Sequence, residues 1–387
     1  MTLKSYLQGN LTGYIDDLKV LAGIDSGSEH KAGVDTVNRW LAQRLTKIGF
    51  EVSWDRQPIM GDNLIARKKG RGQGRVLLLG HSDTVFPVGT AAARPLTQEG
   101  DKLLGPGTCD MKAGLLAGLY AAAALEASGQ NDFAELLFLS VSDEEYDNRP
   151  SIPLIRRLCQ DVDVVFTLEA ARANGDVVVA RKGLQWITIS ARGRAAHAGV
   201  EPEKGRNAIL GLAELLLKIE RLNGWRSGVT LSVGSIEGGT FPNVVPEEAS
   251  ARIDLRGWRA ADIEATRSKM LALLEAEGRP GIRFELTVEP DSVAPSMPFT
   301  PAVEQLERLA VSIAADIGFD LKGAHTGGAS DASFAAAEGV AVLDGLGPIG
   351  GLDHGPDEYI ELTSIVPRTE LLARLICAAD SKSVPNL

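Results

Sequence analysis

Cysteine is scarce: Cys109, Cys159 and Cys377 stand far apart in 387 residues, with no C-x-x-C pair among them. Neither a disulfide framework nor a cysteine-based zinc site is compatible with that spacing. Positive charge is also short. Forty Lys and Arg against 51 Asp and Glu leave a formal charge of −11, which disfavours nucleic acid or an anionic membrane as the main partner. Long apolar runs are missing too: the longest uncharged stretch, 113–125, falls below the about 20 residues of a membrane span, and its Ala, Leu and Gly suit a buried helix. The first ten residues lack the apolar core of a secretion signal, so a cytoplasmic location is expected. There is no G-x-S-x-G elbow to support a serine hydrolase built on Ser82 or Ser330. No G-K-[ST] occurs either, and the basic run 67–75 reads as a hairpin loop between two strands.

What is present describes a globular chain, 44% hydrophobic and 24% charged, with a mean hydropathy of zero. Two or three domains are expected at this length, with a core large enough that any metal should serve chemistry rather than folding. Val34, Val37, Leu41, Leu45 and Ile48 recur at helical spacing, followed by β-rich runs from Phe50, Asn63 and Arg75. ELLFLSV from Glu135 and VDVVFTL from Val162 are near-continuous apolar runs, the mark of central strands covered on both faces. Helical segments at 111–128 and 151–159 intervene. The pattern predicts α/β with a largely parallel sheet and helices on both faces. From about residue 184 the grammar changes. LQWITISARG alternates strictly, and a helix (206–221), two strands (229–236, 249–255), a helix (262–277) and a strand (282–288) follow, which is the βαββαβ order of a ferredoxin-like domain. A proline-rich stretch, 289–301, then leads to helices at 302–317 and 362–378 around a short strand from Val340. The expectation is a discontinuous domain of residues 1–182 and 293–387, interrupted by an inserted domain of residues 183–292.

Acids and histidines fall just past the apolar strands. RVLLLG runs into His81-Ser82-Asp83, ELLFLSVS into Asp143-Glu144-Glu145, and VDVVFTL into Glu169. Ligands bind outside the carboxyl ends of parallel strands, so these groups should share one rim. A Gly/Pro loop, GPGTCDMKAG, sets Asp110 before a long helix, where a plain N-cap is the ordinary alternative. A turn-rich loop brings His354. Cys109 has no activating histidine motif and reads as packing.

HSDTV, GPGTCDMKAG, DEE, Glu169, RAAHAG, NVVP, TGGASDA and LDHGPDEY, in that order, resemble the zinc-dependent aminoacylase/carboxypeptidase metallopeptidases. That family includes glutamate carboxypeptidase, acetylornithine deacetylase and succinyl-diaminopimelate desuccinylase, and the likeness is greatest to the bacterial glutamate carboxypeptidase branch. The resemblance implies two Zn²⁺ per subunit, with Co²⁺ or Mn²⁺ as possible substitutes. Asp110 would bridge the ions, with His81 and Glu169 completing one site and Glu145 and His354 the other; neutral imidazole and carboxylate suit Zn²⁺. It further implies Glu144 as general base, Asp83 as the acid that fixes the His81 tautomer, and a homodimer in which His197 of the inserted domain reaches a partner's site. Asn243, Arg256, Gly327 and Gly328 match substrate-binding positions. Arg256 offers a fork for a carboxylate, although a surface ion pair is its alternative, and the Gly pair is either an amide cradle or a turn.

Two neighbours of the motif acids depart from the family pattern, Tyr146 and Ala170. More consequentially, no arginine occurs in 289–301, where glutamate-cleaving relatives carry one, so a less acidic or apolar substrate side chain is expected. The expected activity is hydrolysis of the amide of an N-acyl amino acid or short peptide beside a free carboxylate. The alternatives are a small-acyl deacylase of an amino-acid metabolite and a non-catalytic, metal-dependent binder of acyl amino acids.

Overall fold

The computed structural model describes residues 1–146, 149–276, 279–290 and 293–379; the expected domain limit at 292 and the end of the helix expected at 262–277 lie outside them. The chain forms two compact units: Met1–Ala180 with Phe299–Thr326 and Ser330–Leu387, and Arg181–Pro298 with Gly327–Ala329.

The first unit is built on a six-stranded sheet in the order Glu51–Asp55, Asn63–Lys69, Glu135–Val141, Arg75–His81, Val164–Thr167, Ala341–Leu343. The last four strands run parallel, and the first two join antiparallel at one edge. Alternate residues of the central strands, among them Leu78, Phe138 and Phe166, pack in one cluster with the helices Ala113–Ser128 and Ile365–Ala378. Their neighbours Leu77, Leu79, Leu137 and Val165 are equally buried, so both faces are covered. The helix Ala113–Ser128 is apolar nearly all round, as an enclosed helix must be. It rests on the chain immediately before Glu169: a Cβ on Gly114 would lie 1.8 Å from the Leu168 carbonyl oxygen, so only glycine allows that approach.

The second unit is a four-stranded antiparallel sheet in the order Thr230–Gly238, Glu248–Gly257, Gly183–Arg192, Arg283–Val288. With the helices Ala208–Glu220 and Ala260–Ala276 it has the ferredoxin-like order that the alternating pattern predicts. Ile187, Ile189, Leu231, Ile253 and Leu255 point to one side and pack beneath Leu212, Leu216 and Met270. The chain is therefore α/β, with a largely parallel central sheet and an inserted antiparallel unit.

Candidate active site

Parallel pairing sets His81 opposite Val141 and Leu79 opposite Thr167. As a result the His81–Asp83, Asp143–Glu145 and Glu169 segments leave the sheet on one rim. Asp83 then ties two of these segments together. It is fully buried; Oδ1 accepts the Glu144 amide (3.1 Å), and Oδ2 accepts the Glu145 amide (3.0 Å) and the Ser28 hydroxyl (2.6 Å). Burial works against its charge, but His81, Ser28 and the Glu145 amide outweigh it and hold the carboxyl below the usual range. Glu144 and Glu145 lie in a turn beyond the strand's end at Val141, so their side chains are not forced apart as they would be on extended backbone.

His81 Nδ1 lies 3.1 Å from the Asp83 carbonyl oxygen and 3.3 Å from Asp83 Oδ1. Both are acceptors, so Nδ1 carries a proton; Nε2 lies 2.9 Å from Asp110 Oδ1, to which it donates as an imidazolium, with Glu169 Oε1 3.9 Å away, and a bound cation would take the place of that second proton. The other Asp110 oxygen lies 3.2 Å from His354 Nε2, which is also 3.1 Å from Glu145 Oε1. Asp110 is thus no helix cap: Lys112 occupies the N-cap position of Ala113–Ser128, and the Asp110 carboxylate faces two imidazoles. His354 sits in a turn where both Leu352 and His354 adopt left-handed backbone, a strained conformation typical of functional loops.

The donor set fits a divalent cation. Hydrogen bonds to Asp110 and Glu145 push the His354 pKa up to about 11. Burial pulls His81 down, yet Asp110 and Asp83 raise it well above its ordinary value. A field that holds a proton on both imidazoles attracts positive charge generally, and the nitrogens and carboxylate oxygens that converge here are hard-to-borderline donors of the Zn²⁺ type. His81, Asp110 and Glu169 offer ligand atoms within 4.8 Å of one another, and so do Asp110, Asp353 and His354.

The Glu144 carboxyl is raised well above its usual value, chiefly by burial, with Arg149 opposing. Arg149 Nη1 is 3.8 Å from Glu144 Oε1, and its Nη2 donates to the buried Asp331. The two candidate serine nucleophiles are committed elsewhere. Buried Ser82 donates to the Val141 carbonyl oxygen (2.9 Å), and Ser330 caps the helix Asp331–Ala337 while donating to Asp344 (3.2 Å).

His197, Asn243, Arg256 and Gly327–Gly328 all belong to the second unit. His197 is exposed, its Nδ1 accepting the Gly199 amide (3.2 Å). Beside it the Asn243 carbonyl oxygen accepts the Ala198 amide (2.9 Å). Of the two readings of Arg256, the structure has the ion pair. Residues 254 and 256 share a strand face, and Arg256 Nε and Nη2 lie 2.9 and 3.0 Å from the Asp254 carboxylate, while Nη1 donates to the Gly327 carbonyl oxygen (2.7 Å). Arg181 donates likewise to Gly328 (3.0 Å), so two arginines fasten the glycine pair. His325 is exposed on the strand Gly323–Thr326, its ring 5.6 Å from that of Phe299.

Fold and site together define a metal-dependent hydrolase of the peptidase and amidohydrolase class. The chain belongs to peptidase family M20/M25/M40, whose model matches residues 77–378. It is 28% identical over 367 residues to carboxypeptidase G2 of Pseudomonas sp. (strain RS-16), covering 94% of this chain and 88% of that one. It is 30% identical to the succinyl-diaminopimelate desuccinylase of Stenotrophomonas maltophilia (strain R551-3), covering 89% and 93%. Aminopeptidase PepT of Bacillus cereus ATCC 10987 has a similar fold, with a TM-score of 0.81 at 24% identity over 95% of this chain and 98% of that one.

Sequence reasoning passed over Glu358. Its buried carboxylate accepts the amides of Gly107 (2.9 Å), Cys109 (2.8 Å) and Asp110 (3.0 Å), so the loop carrying Asp110 is strapped to the segment carrying His354. Its position four residues after His354 within LDHGPDEY was the available signal. Glu358→Gln puts an amide N–H₂ among those donors. We expect metal affinity, read by competition with a chromophoric chelator, to fall about 10- to 100-fold with the far-UV spectrum of the metal-free protein unchanged. An unaltered affinity would deny Glu358 this role.

Proposed function

We propose that the protein is a homodimeric, cytoplasmic two-zinc amidohydrolase that cleaves the amide of an N-acyl amino acid or short peptide next to a free carboxylate. One observation carries the reading: the two oxygens of Asp110 face two imidazoles, 2.9 Å from His81 and 3.2 Å from His354, which divides the donors into two sets with a shared carboxylate. In this reading His81 and Glu169 belong to one ion, Glu145 and His354 to the other, and Co²⁺ or Mn²⁺ can substitute. Bound divalent ions supply Lewis acidity, which acidifies water and polarises the scissile carbonyl.

The chain's own groups do the rest. Glu144 takes a proton from the attacking water onto its carboxylate and returns it to the leaving nitrogen, so that water and amide become acid and amine with the base restored. Asp83 keeps the proton of His81 on Nδ1 and fixes the backbone of Glu144 and Glu145. His197 of the partner subunit donates to the carbonyl oxygen as it becomes negative. Asn243 and the Gly327–Gly328 loop, braced by Arg256 and Arg181, take the carboxylate end of the substrate.

Mixing tests the shared centre. Glu144→Gln and His197→Ala chains are each expected to be inactive on a panel of N-acyl amino acids. Unfolded together and refolded, they should recover about a quarter of wild-type activity, because half the dimers are mixed and each mixed dimer has one complete centre. Mixed dimers that form without any recovery would rule out His197 acting across subunits.

A further inference from the structure

Beside the acidic cluster, and lined wholly by the first unit, is a cavity of about 520 Å³ that the reaction as described does not use. Val85, Phe86, Pro87 and Val88 form one wall, and Glu145 and Tyr146 form the side that opens on the cluster. Glu29 and His30 also line it.

The cavity is built, not a gap between loose loops. Its floor is a bridge between Gly27 and Thr84, with the Ser28 amide donating to Thr84 (3.3 Å) and the Thr84 amide to Ser26 (2.9 Å). A Cβ on Gly27 would lie 2.6 Å from the Phe86 carbonyl oxygen, so the two segments approach as closely as glycine permits. Beyond the wall, the Asp25 carboxylate accepts the amides of Gly89 (2.7 Å) and Ala91 (2.8 Å), anchoring the turn that follows Val88. The Phe86 ring is backed by the Arg94 guanidinium at 4.6 Å, and Arg94 donates to the Gly355 carbonyl oxygen (3.1 Å), next to His354. Both ends of the cavity are therefore tied to segments that carry candidate metal ligands.

Its chemistry is selective. Val85 and Val88 are 41% and 65% exposed, apolar groups held open to solvent beside a charged cluster. No lysine or arginine lines the cavity, and its two ionisable acids are Glu29 and Glu145. The carboxylate that marks the leaving half of the substrate would find no lysine or arginine here and would face Glu29 and an apolar wall.

We propose that this cavity is the subsite for the acyl half of the substrate, and that it selects a bulky, uncharged, apolar acyl group, of which benzoyl and benzyloxycarbonyl are the simplest examples. The volume suits such a group, ligand pockets being about 300–1,000 Å³. Phe86 and Tyr146 offer ring faces and edges, and the two valines offer aliphatic surface. The inference deepens the amidohydrolase reading and rests on it.

The test is a comparison of kcat/KM for benzyloxycarbonyl, acetyl and succinyl derivatives of one amino acid, in the zinc-loaded wild type and in Val88→Arg, a change at an open position. The wild type should prefer benzyloxycarbonyl to acetyl by about 30-fold or more, mainly through KM, and should process succinyl worst. Val88→Arg should cut the benzyloxycarbonyl-to-acetyl ratio about tenfold and raise the succinyl-to-acetyl ratio. A wild type indifferent to the acyl group, one that favours peptides with a free α-ammonium, or a variant with unchanged ratios would overturn the assignment. If no N-acyl amino acid is cleaved, the amidohydrolase reading fails instead. Calorimetric binding of the benzyloxycarbonyl compound, tenfold weaker in Val88→Arg, then still supports the subsite, and equal or absent binding in both proteins refutes it.

Discussion

Replacing Glu144 with glutamine should leave a folded protein with its full metal content and lower kcat by about 10²- to 10⁴-fold, the range that general acid–base groups supply. The size follows from position. The Glu144 backbone is fixed by the Asp83 carboxylate, its side chain is largely withdrawn from solvent, and burial raises its affinity for a proton. Gln keeps the volume and loses the base. Arg149, held by Asp331 and stacked 5.1 Å from the Phe334 ring, stays beside the substituted side chain, so the fold has no reason to change. Metal analysis and single-turnover kinetics on one preparation check the result. A binder of acyl amino acids needs no base; affinity for an N-acyl amino acid that survives while no wild-type turnover is ever found would favour that alternative.

The second large effect is expected at Asp110. Its two oxygens face His81 and His354, and three amide-to-Glu358 hydrogen bonds hold the loop that presents it. Asp110→Asn removes the charge common to both donor sets and places an amide N–H₂ against one imidazole. Both metal sites should weaken together, so that metal content after gel filtration falls below one ion per chain and activity drops by more than about 10⁴-fold. His354→Ala is the control: it touches one set only and should leave one ion behind. Equal metal content in Asp110→Asn and wild type would mean that the two donor sets do not share this carboxylate.

Much of this was legible in the sequence because the signals are local. Continuous apolar runs marked the central strands, and the acid or histidine immediately after each marked the rim; strict alternation from residue 184 marked a sheet with one covered face. What escaped was held together by contacts between distant residues. Arg149 and Asp331 are 182 positions apart, and Glu358 and Gly107 are 251 apart, so no periodicity reports either. The Gly327–Gly328 pair reads as a turn within the final segment, yet Arg256 and Arg181 fasten it to the inserted unit. The ion-pair alternative for Arg256 had a local signal: Asp254 lies two positions away on an extended strand, on the same face. The short helices Leu3–Gly9 and Asp331–Ala337 and the strands Val177–Arg181 and Gly323–Thr326 were overlooked because a few residues hold too little pattern to stand out.

The central claim is that side chains from five separated segments gather two divalent ions on which turnover depends. Its most direct test is to strip the protein with a chelator, reload it stepwise with Zn²⁺, and measure metal by mass spectrometry and hydrolysis of an N-acyl amino acid at each step. The account predicts no activity without metal and full activity at two ions per chain. Full activity in folded protein with no bound metal would contradict it.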